Sequence, residues 1–392
     1  MIIIDASAAV HNKAGLSRYG QELIAAAVAD PAHRSEYGVF YHDATTAQPN
    51  AVIRSLPAIT TDQAPKPWRL RALLAQLVNM SQDYLLAGSP EVVGAPAIFH
   101  ATEHLLPRFK RSKTVFTLHD LIFKFFPQHH LPLNRAYLSL AFPLFLRRAD
   151  VIICVSEQSK RDALNVYRIP DEKLRVIYEG VDPRFQRVTD RLTLARVHEH
   201  YHLPERFILS VGTIEPRKNL KTVFEAFAEW RKSGEARQGP EDVRLVVVGR
   251  QGWLVEETMR AVQELGLTEQ VLFTGFVADE DLPAVYSMAE AMVFPSVYEG
   301  FGLPPLEALA CGTPVACSDA SSLPEVMGDA GLLIPPTDVR AWMLGLGRLL
   351  MDADLRRDLS ARGPRQAALF TWADAARKTR IVYEELLVKR KT

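Results

Sequence analysis

Short apolar runs rich in β-branched residues alternate with longer stretches of helical periodicity along almost the whole chain. In the first half these runs occupy 2–6, 37–41, 97–100, 114–118, 151–155 and 174–178. Such alternation is typical of βαβ units, so it predicts a parallel sheet covered by helices. The pattern then restarts, with apolar runs at 207–212, 245–248, 271–275, 291–294, 315–318 and 332–334. The sequence therefore predicts an α/β protein with two doubly wound, Rossmann-like domains.

The chain has 392 residues, more than one hydrophobic core usually supports, which favours two domains of comparable size. The segment 182–206 contains prolines, many charges and few aliphatic runs, so we expect it to connect the domains. We assign 1–185 to the first domain and 204–371 to the second. Thr371 is a candidate N-cap for a long helix over about 372–392, which we expect to return to the first domain.

Composition restricts the class of protein and its surroundings. The chain is 48% hydrophobic and 23% charged, as in ordinary globular enzymes, and its 46 basic and 46 acidic residues give no reason to expect a nucleic-acid partner. Three cysteines without paired or metal-binding spacing fit a reducing compartment. The apolar start is interrupted at Asp5 and lacks a basic flank, so we read it as a buried strand and not as a signal peptide. We expect a cytoplasmic protein without a membrane span.

The segment 294–319 carries the clearest chemical signal and reads FPSVYEGFGLPPLEALACGTPVACSD. Its pattern predicts a strand, a loop over 300–303, a helix with prolines in its first turn, and a second strand. Backbone N–H groups at the start of a helix favour phosphate or sugar oxygens. Glu299 and Glu307 flank this loop, where carboxylates can accept hydrogen bonds from sugar hydroxyls. Taken singly, each glutamate could instead merely stabilise the loop or the helix start.

The spacing of Glu299 and Glu307 resembles the E-x(7)-E signature of the family 4 glycosyltransferases. Residues 15–19 and 119–120 resemble the family's N-domain loops that line the cleft. Residues 155–160 resemble its inter-domain stretch, and residues 212–219 resemble its diphosphate-binding turn. The resemblance implies the GT-B fold, in which two Rossmann-like domains face each other across a cleft, the first on the acceptor side and the second binding the nucleotide sugar. It also implies sugar transfer with retention of configuration by front-face attack, in which the leaving diphosphate takes the acceptor proton.

The resemblance assigns roles to residues at matching positions. Arg217 and Lys218 would neutralise the departing diphosphate, and two cations at a helix start are otherwise unfavourable. His119 and Glu299 would contact the transferred hexose, and Glu307 the donor ribose. Without the resemblance, His119 reads as an ordinary core histidine. The other residues assigned to donor binding lie in or beside predicted turns and loops, and they are Gly15, Leu16, Gly212, Arg250, Phe276, Phe301, Gly302 and Leu303.

We expect no metal ion and no cofactor other than the donor substrate, because cationic side chains and a helix terminus can supply the positive charge. The D-x-D string at 279–281 precedes a predicted helix, where acidic residues simply favour the helix start. His198, His200 and His202 alternate among charged residues, which indicates an exposed face more readily than a metal site.

The partners expected are a nucleotide sugar and a saccharide or lipid-linked acceptor. Similarity to bacterial polysaccharide mannosyltransferases favours GDP-mannose. A UDP-sugar with a small soluble acceptor, or a non-catalytic nucleotide-sugar-binding protein, remain alternatives. The segment 66–78 combines basic residues and Trp68 with an apolar helical face, which suits peripheral docking to anionic lipid. The same pattern also fits a helix packed on the sheet.

Overall fold

The computed structural model describes residues 1–11, 14–86, 96–233 and 242–391. The chain forms two compact units, Met1–Gly180 with Thr371–Thr392, and Val181–Phe370. The second unit therefore starts earlier than the predicted residue 204. The segment predicted to connect the domains belongs to the second unit and contains a helix at Arg191–His200, which Asp190 caps by accepting a hydrogen bond from Thr193 N.

The first unit is built on a parallel sheet of seven described strands. They are β1 Ile2–Asp5, β2 Tyr37–His42, β3 Ala58–Thr61, β4 Ile98–Ala101, β5 Lys113–Leu118, β6 Val151–Cys154 and β7 Leu174–Val176. Their order is β3-β2-β1-β4-β5-β6-β7, so the chain reverses its direction of travel between β1 and β4. The sequence predicted six of these strands. It missed β3, a four-residue strand at the sheet edge with a single buried position.

Helices cover this sheet, and the aromatic core lies beneath them. The helices of this part of the chain are α1 Ser7–Val10, α2 Ala14–Ala27, α3 Ala51–Arg54, α4 Pro65–Leu77, α5 Ile122–Phe125, α6 Pro132–Arg148 and α7 Glu157–Tyr167. Phe116 of β5 packs against Phe142 and Phe145 of α6, and all three side chains are fully buried. Truncation of one such phenylalanine to alanine typically costs about 3–5 kcal/mol.

The second unit repeats this architecture with six described parallel strands. They are β8 Phe207–Val211, β9 Arg244–Val248, β10 Val271–Gly275, β11 Ala291–Phe294, β12 Val315–Ser318 and β13 Leu332–Ile334. Their order is β10-β9-β8-β11-β12-β13, which reverses between β8 and β11. All six were predicted. The helices are α8 Arg191–His200, α9 Leu220–Lys232, α10 Glu256–Glu264, α11 Leu282–Met288, α12 Leu303–Ala310, α13 Leu323–Met327, α14 Val339–Met351 and α15 Ala353–Ala367.

The C-terminal helix α16, Trp372–Lys391, belongs to the first unit, as predicted. Thr371 caps it, because its Oγ1 accepts a hydrogen bond from the backbone N–H of Asp374 at 3.1 Å. The helix packs on α2, and its Tyr383 is 1% exposed and hydrogen-bonded to His100 of β4.

Helix α4 packs on the first unit with one face and exposes apolar side chains on another. Trp68 is fully buried against Phe40, so it is not the membrane anchor that the sequence suggested. Leu70, Leu74 and Leu77, spaced four and three residues apart, are each about half exposed. Among the described residues, no helix is both long and apolar enough to cross a membrane.

Candidate active site

A short turn after β8 places two basic side chains at the carboxyl end of that strand. Gly212 follows the strand with φ +147°, and the 3₁₀ turn Pro216–Lys218 leads into α9. Asn219 closes the turn in the left-handed conformation, with φ +53°. Its side-chain amide donates to the backbone oxygens of Pro295 at 3.1 Å and of Pro336 at 2.6 Å, which fixes the turn against the neighbouring strand ends. The turn thereby holds Arg217 and Lys218 in place.

The loop after β11 is fixed against that turn and against the residues after β12. Val297 N and Ser296 Oγ both donate to the backbone oxygen of Arg217, at 2.9 and 3.1 Å. Ser321 Oγ accepts from Glu299 N at 2.8 Å, and Ser322 Oγ donates to Glu299 O at 3.0 Å. These three serines were not predicted from the sequence. Their position directly after β11 and β12 was the signal available.

These two loops bring Arg217, Lys218 and Glu299 together, as the resemblance implied. Lys218 Nζ donates to Glu299 Oε1 at 2.6 Å, and Arg217 Nη1 contacts the other oxygen of the same carboxylate. Arg217 Nε also contacts Glu215, to which no role was assigned from the sequence. Lys218 and Glu299 are each only 8% exposed and the Arg217 side chain is 24% exposed, so two cations and two anions share a largely buried site.

Burial and charge together set the ionisation of this cluster. Burial alone would raise the pKa of Glu299, but the adjacent Arg217 and Lys218 charges outweigh it and lower that pKa to about 2. Burial lowers the pKa of Lys218, and the neighbouring guanidinium lowers it further. The Lys218 ammonium also lies 4.5 Å from the centre of the Phe294 ring, a favourable cation–π distance. Glu299 is therefore ionised at neutral pH.

The location of the cluster matches where parallel α/β sheets bind ligands. Strands β8 and β11 are neighbours, and the strand order reverses between them. Ligands bind outside the carboxyl ends of strands at such a switch point. Arg217 and Lys218 follow β8, and Glu299 follows β11, so the cluster can neutralise an anion and accept hydrogen bonds from hydroxyl groups.

Helix α12 starts at Leu303, directly after Gly302, which has φ +116°. The predicted prolines lie in its first turn, and Gly312, with φ +70°, follows its end. Glu307 is the fifth helical residue and therefore lies beyond the first turn. It is 4% exposed and accepts a hydrogen bond from Tyr286 Oη at 2.9 Å.

Three predicted donor-binding side chains differ in their exposure. Phe301 is 3% exposed, and its ring packs edge-on against Phe370 at 5.7 Å, so its side chain belongs to the core. The Arg250 guanidinium lies 4.6 Å from the centre of the exposed Phe276 ring. Arg250 follows strand β9 and Phe276 follows strand β10, and these two strands are neighbours in the sheet. A Cβ at Gly249 would lie 2.0 Å from the oxygen of Gly212, so that position requires glycine.

In the first unit, His119 follows β5 and is 7% exposed. Its Nε2 lies 2.8 Å from the backbone oxygen of Thr102, and its Nδ1 lies 3.6 Å from Glu179 Oε1. Ser159, within the stretch that resembles the family's inter-domain motif, donates to the backbone oxygen of His119 at 2.8 Å. Both ring nitrogens thus face protein acceptors, an environment that equally suits a core histidine.

Gly15 and Leu16 lie in the first turn of α2, not in the loop that the sequence predicted. A Cβ at Gly15 would meet no atom within 4 Å, so packing within the protein does not require glycine there. Both residues belong to the first unit, whereas the charged cluster belongs to the second.

The candidate metal motifs lie on or beside helices α8 and α11. Asp281 accepts hydrogen bonds from Arg196 at 2.6 Å and from Tyr201 Oη at 3.0 Å, which ties α11 to the region of α8. His198 and His200 lie on helix α8, not on extended backbone. Within the described ranges, no group of three or more His, Cys, Asp or Glu side chains is placed to hold a metal ion.

Two protein-family models match the chain, one in each half. The model described as Glycosyltransferase Family 4 matches 15–185, and the model described as Glycosyl transferases group 1 matches 196–366. The Escherichia coli O-antigen chain mannosyltransferase B is 31% identical over 290 residues, 74% of this chain and 74% of that protein. The Escherichia coli serotype-specific mannosyltransferase WbdA is 34% identical over 67% of this chain, which spans only 32% of WbdA.

Solved structures resemble the chain over almost its whole length. Sucrose-phosphate synthase from Thermosynechococcus elongatus has a TM-score of 0.72 at 21% identity and covers 99% of both chains. Anabaena Alr3699/HepE, in complex with UDP and glucose, has a TM-score of 0.71 at 20% identity over 98% of this chain and 99% of that one. These likenesses confirm the predicted fold class, GT-B.

Proposed function

This chain belongs to the family 4 glycosyltransferases, and on that premise we propose that it transfers mannose from GDP-mannose to a saccharide or lipid-linked acceptor. The transfer proceeds with retention of configuration in the synthesis of a bacterial polysaccharide. The observation that carries this proposal is the contact of Arg217 and Lys218 with Glu299 at the switch point of the second sheet. Mannosyltransferase activity is named for several relatives, among them the O-antigen chain mannosyltransferase B.

The contacts of Glu299 suggest how the site exchanges partners. Glu299 already accepts hydrogen bonds from both cations, as a diphosphate oxygen would. A donor diphosphate competes for Arg217 and Lys218, and its binding releases the carboxylate of Glu299 to accept a hydrogen bond from a hexose hydroxyl. The two cations are thus paired first with Glu299 and later with the donor diphosphate, which keeps them paired throughout.

The bond changes follow from this arrangement. The bond between the sugar anomeric carbon and the diphosphate oxygen breaks, and the acceptor hydroxyl bonds to that carbon on the same face. The hydroxyl proton passes to the leaving diphosphate oxygen. Arg217 and Lys218 stabilise the charge that grows on the diphosphate, in a site with little water to screen it. We propose that no metal ion is needed, because these two cations supply the positive charge.

A donor panel tests the identity of the nucleotide sugar. The purified chain is incubated with a mannose-terminated oligosaccharide and either GDP-mannose or UDP-glucose, and nucleoside diphosphate release is measured. We expect release from GDP-mannose and a mannosylated product. A UDP-sugar is the second candidate, since HepE has been solved with UDP and glucose. Release from UDP-glucose alone would replace our donor assignment, and release from neither donor would favour a non-catalytic binding protein.

We also propose that the first unit docks peripherally on anionic membranes through the end of α4. Beyond the exposed leucines of that helix, Val78 and Met80 are also exposed. Between them, Asn79 Oδ1 accepts hydrogen bonds from Arg108 Nε at 3.2 Å and Arg148 NH1 at 3.1 Å. Two guanidinium groups beside exposed apolar side chains suit anionic lipid headgroups over a hydrocarbon layer.

Vesicle flotation tests the docking surface. We expect the chain to float with vesicles containing phosphatidylglycerol but not with pure phosphatidylcholine, and Leu74→Asp should abolish flotation. Leu192→Asp is the matched control, since Leu192 is 81% exposed on α8 in the other unit. Equal flotation of both variants would contradict this docking surface.

A further inference from the structure

Ser296 gives the carboxylate of Glu299 an uncharged hydrogen-bond donor. It lies two residues after strand β11 and is fully buried. Its Oγ lies 2.6 Å from Glu299 Oε1, the oxygen that also accepts from Lys218, whereas Arg217 contacts the other carboxylate oxygen. Among the residues that the structure describes, two cations and one hydroxyl thus donate to this carboxylate.

The Ser296 hydroxyl carries one hydrogen, for which several acceptors compete. Besides Glu299 Oε1, the backbone oxygens of Arg217 and Tyr298 lie 3.1 and 3.4 Å from its Oγ. The carboxylate is both the nearest and the charged acceptor, and such bonds are about twice as strong as neutral ones. The hydrogen therefore lies mainly on Glu299, with the Arg217 oxygen as the alternative. That oxygen also accepts from Val297 N at 2.9 Å.

The backbone around Ser296 is fixed independently of that carboxylate. Asn219 donates to the backbone oxygen of Pro295 at 3.1 Å. Ser318, the fully buried last residue of β12, donates through its Oγ to the backbone oxygen of Ser296 at 2.5 Å. Ser296 is therefore held in place by neighbouring strand ends, and its hydroxyl remains beside Glu299 whatever the two cations contact.

Donor binding changes the balance of these contacts. A donor diphosphate attracts Arg217 and Lys218, so Glu299 loses both of its charged donors, but it does not attract the neutral hydroxyl of Ser296. The bond from Ser296 to Oε1 then persists and leaves Oε2 to accept from a hexose hydroxyl. A carboxylate held at one oxygen has fewer orientations, so less conformational freedom is lost when the hexose binds.

We propose that Ser296 is a positioning residue that keeps Glu299 oriented towards the transferred hexose once the donor has taken the two cations. Ser296 acts through Glu299 and not on the substrate itself. This assignment rests on the proposed function, in which Glu299 contacts the hexose. Its effect is confined to the sugar, because the hydroxyl bonds the carboxylate both before and after a diphosphate binds, so its contribution to the affinity for GDP cancels.

Calorimetric titration of Ser296→Ala separates positioning from a general structural effect. We expect the Kd for GDP-mannose to rise about 10-fold, as loss of a hydrogen bond to a charged group does, while the Kd for GDP stays within about 2-fold. Ser360→Ala is the matched control, because Ser360 is a partly buried serine of the same unit whose hydroxyl donates to the backbone oxygen of Gly312 at 2.7 Å. It should bind both ligands as the wild type does. Equal weakening of both ligands in Ser296→Ala, or unchanged binding of GDP-mannose, would overturn the assignment.

A double-mutant cycle shows whether Ser296 acts through Glu299. In the Glu299→Gln background, Ser296→Ala should change the Kd for GDP-mannose by no more than about 2-fold, because the carboxylate that it orients is absent. A second rise of about 10-fold in that background would contradict positioning through Glu299.

The same titrations with UDP-glucose and UDP distinguish this assignment from the proposed function. A selective loss of UDP-glucose binding in Ser296→Ala would uphold the role of Ser296 and refute GDP-mannose as the donor. A selective loss of nucleotide-sugar binding in a chain that transfers no sugar would likewise uphold Ser296 and refute the proposed activity.

Discussion

Replacement of Glu299 by glutamine removes the anion that Arg217 and Lys218 share. The pKa of Glu299 is lowered from 4.5 to about 2, and at 1.36 kcal/mol per pH unit this corresponds to roughly 3 kcal/mol of stability. Because the folded pKa lies below the unfolded one, the contribution is complete above about pH 4.5 and is lost as the pH falls towards 2. At pH 7 the variant should therefore lose the whole amount.

Differential scanning fluorimetry reads this loss as a change in Tm. For a unit of this size, each kcal/mol of lost stability lowers Tm by about 2–4 °C. Glu299→Gln should therefore melt roughly 6–12 °C below the wild type. Glu290→Gln is the control, since Glu290 pairs with Arg206 and Arg356 while remaining 23% exposed. An ion pair near the surface contributes about 1 kcal/mol or less, so this control should melt close to the wild type.

Addition of GDP gives a second measurement of the competition at this site. The carboxylate of Glu299 competes with a diphosphate for Arg217 and Lys218, so GDP should bind the Glu299→Gln variant more tightly. At 100 times its Kd, a ligand adds ~2.7 kcal/mol, and GDP at one fixed concentration should protect the variant more than the wild type. An unchanged Tm for Glu299→Gln, or equal protection of both proteins by GDP, would refute this reasoning.

Three further predictions concern the second unit. EDTA should leave sugar transfer intact, and complete loss restored by Mn²⁺ would instead support a metal-dependent mechanism. Glu307→Gln should weaken GDP binding about 10-fold in calorimetry, because one hydroxyl acceptor becomes an amide donor, and an unchanged Kd would remove Glu307 from the ribose site. Gly249→Ala should lower Tm markedly, since its Cβ would lie 2.0 Å from the Gly212 oxygen, whereas Gly266→Ala, with no atom within 4 Å, should cost only the strain of its φ of +68°.

Local patterns predicted the sheets and the centre of the candidate site. The apolar run at Phe207–Val211 and the turn that follows it identify β8 and the two cations, because hydrophobicity and glycine placement are local signals. The edge strand Ala58–Thr61 was missed because four residues are too few to show a clear alternation of apolar and polar side chains. The family resemblance assigns Glu299 to a hexose. Its contacts with both cations are long-range and emerge only from the fold.

In the first unit, Asp5, His42 and Glu103 lie buried together, which local patterns do not predict. They come from separate parts of the chain, and each has ordinary neighbours in the sequence. Only the strand order, which sets β1 between β2 and β4, brings them together. The same holds for Ser321 and Ser322, which fix Glu299 from a loop 22 and 23 residues away.

The most direct test of the account is the rate of mannose transfer from GDP-mannose by Lys218→Ala. Lys221→Ala is the matched control, because Lys221 lies three residues further on, in the first turn of α9, has a side chain that is 49% exposed and pairs with Glu257. Loss of one group that stabilises charge in the transition state typically costs ~10²–10³ in rate, so Lys218→Ala should fall by that factor while Lys221→Ala transfers mannose at the wild-type rate. A Lys218→Ala protein that keeps the wild-type rate would contradict the claim that this lysine neutralises the departing diphosphate.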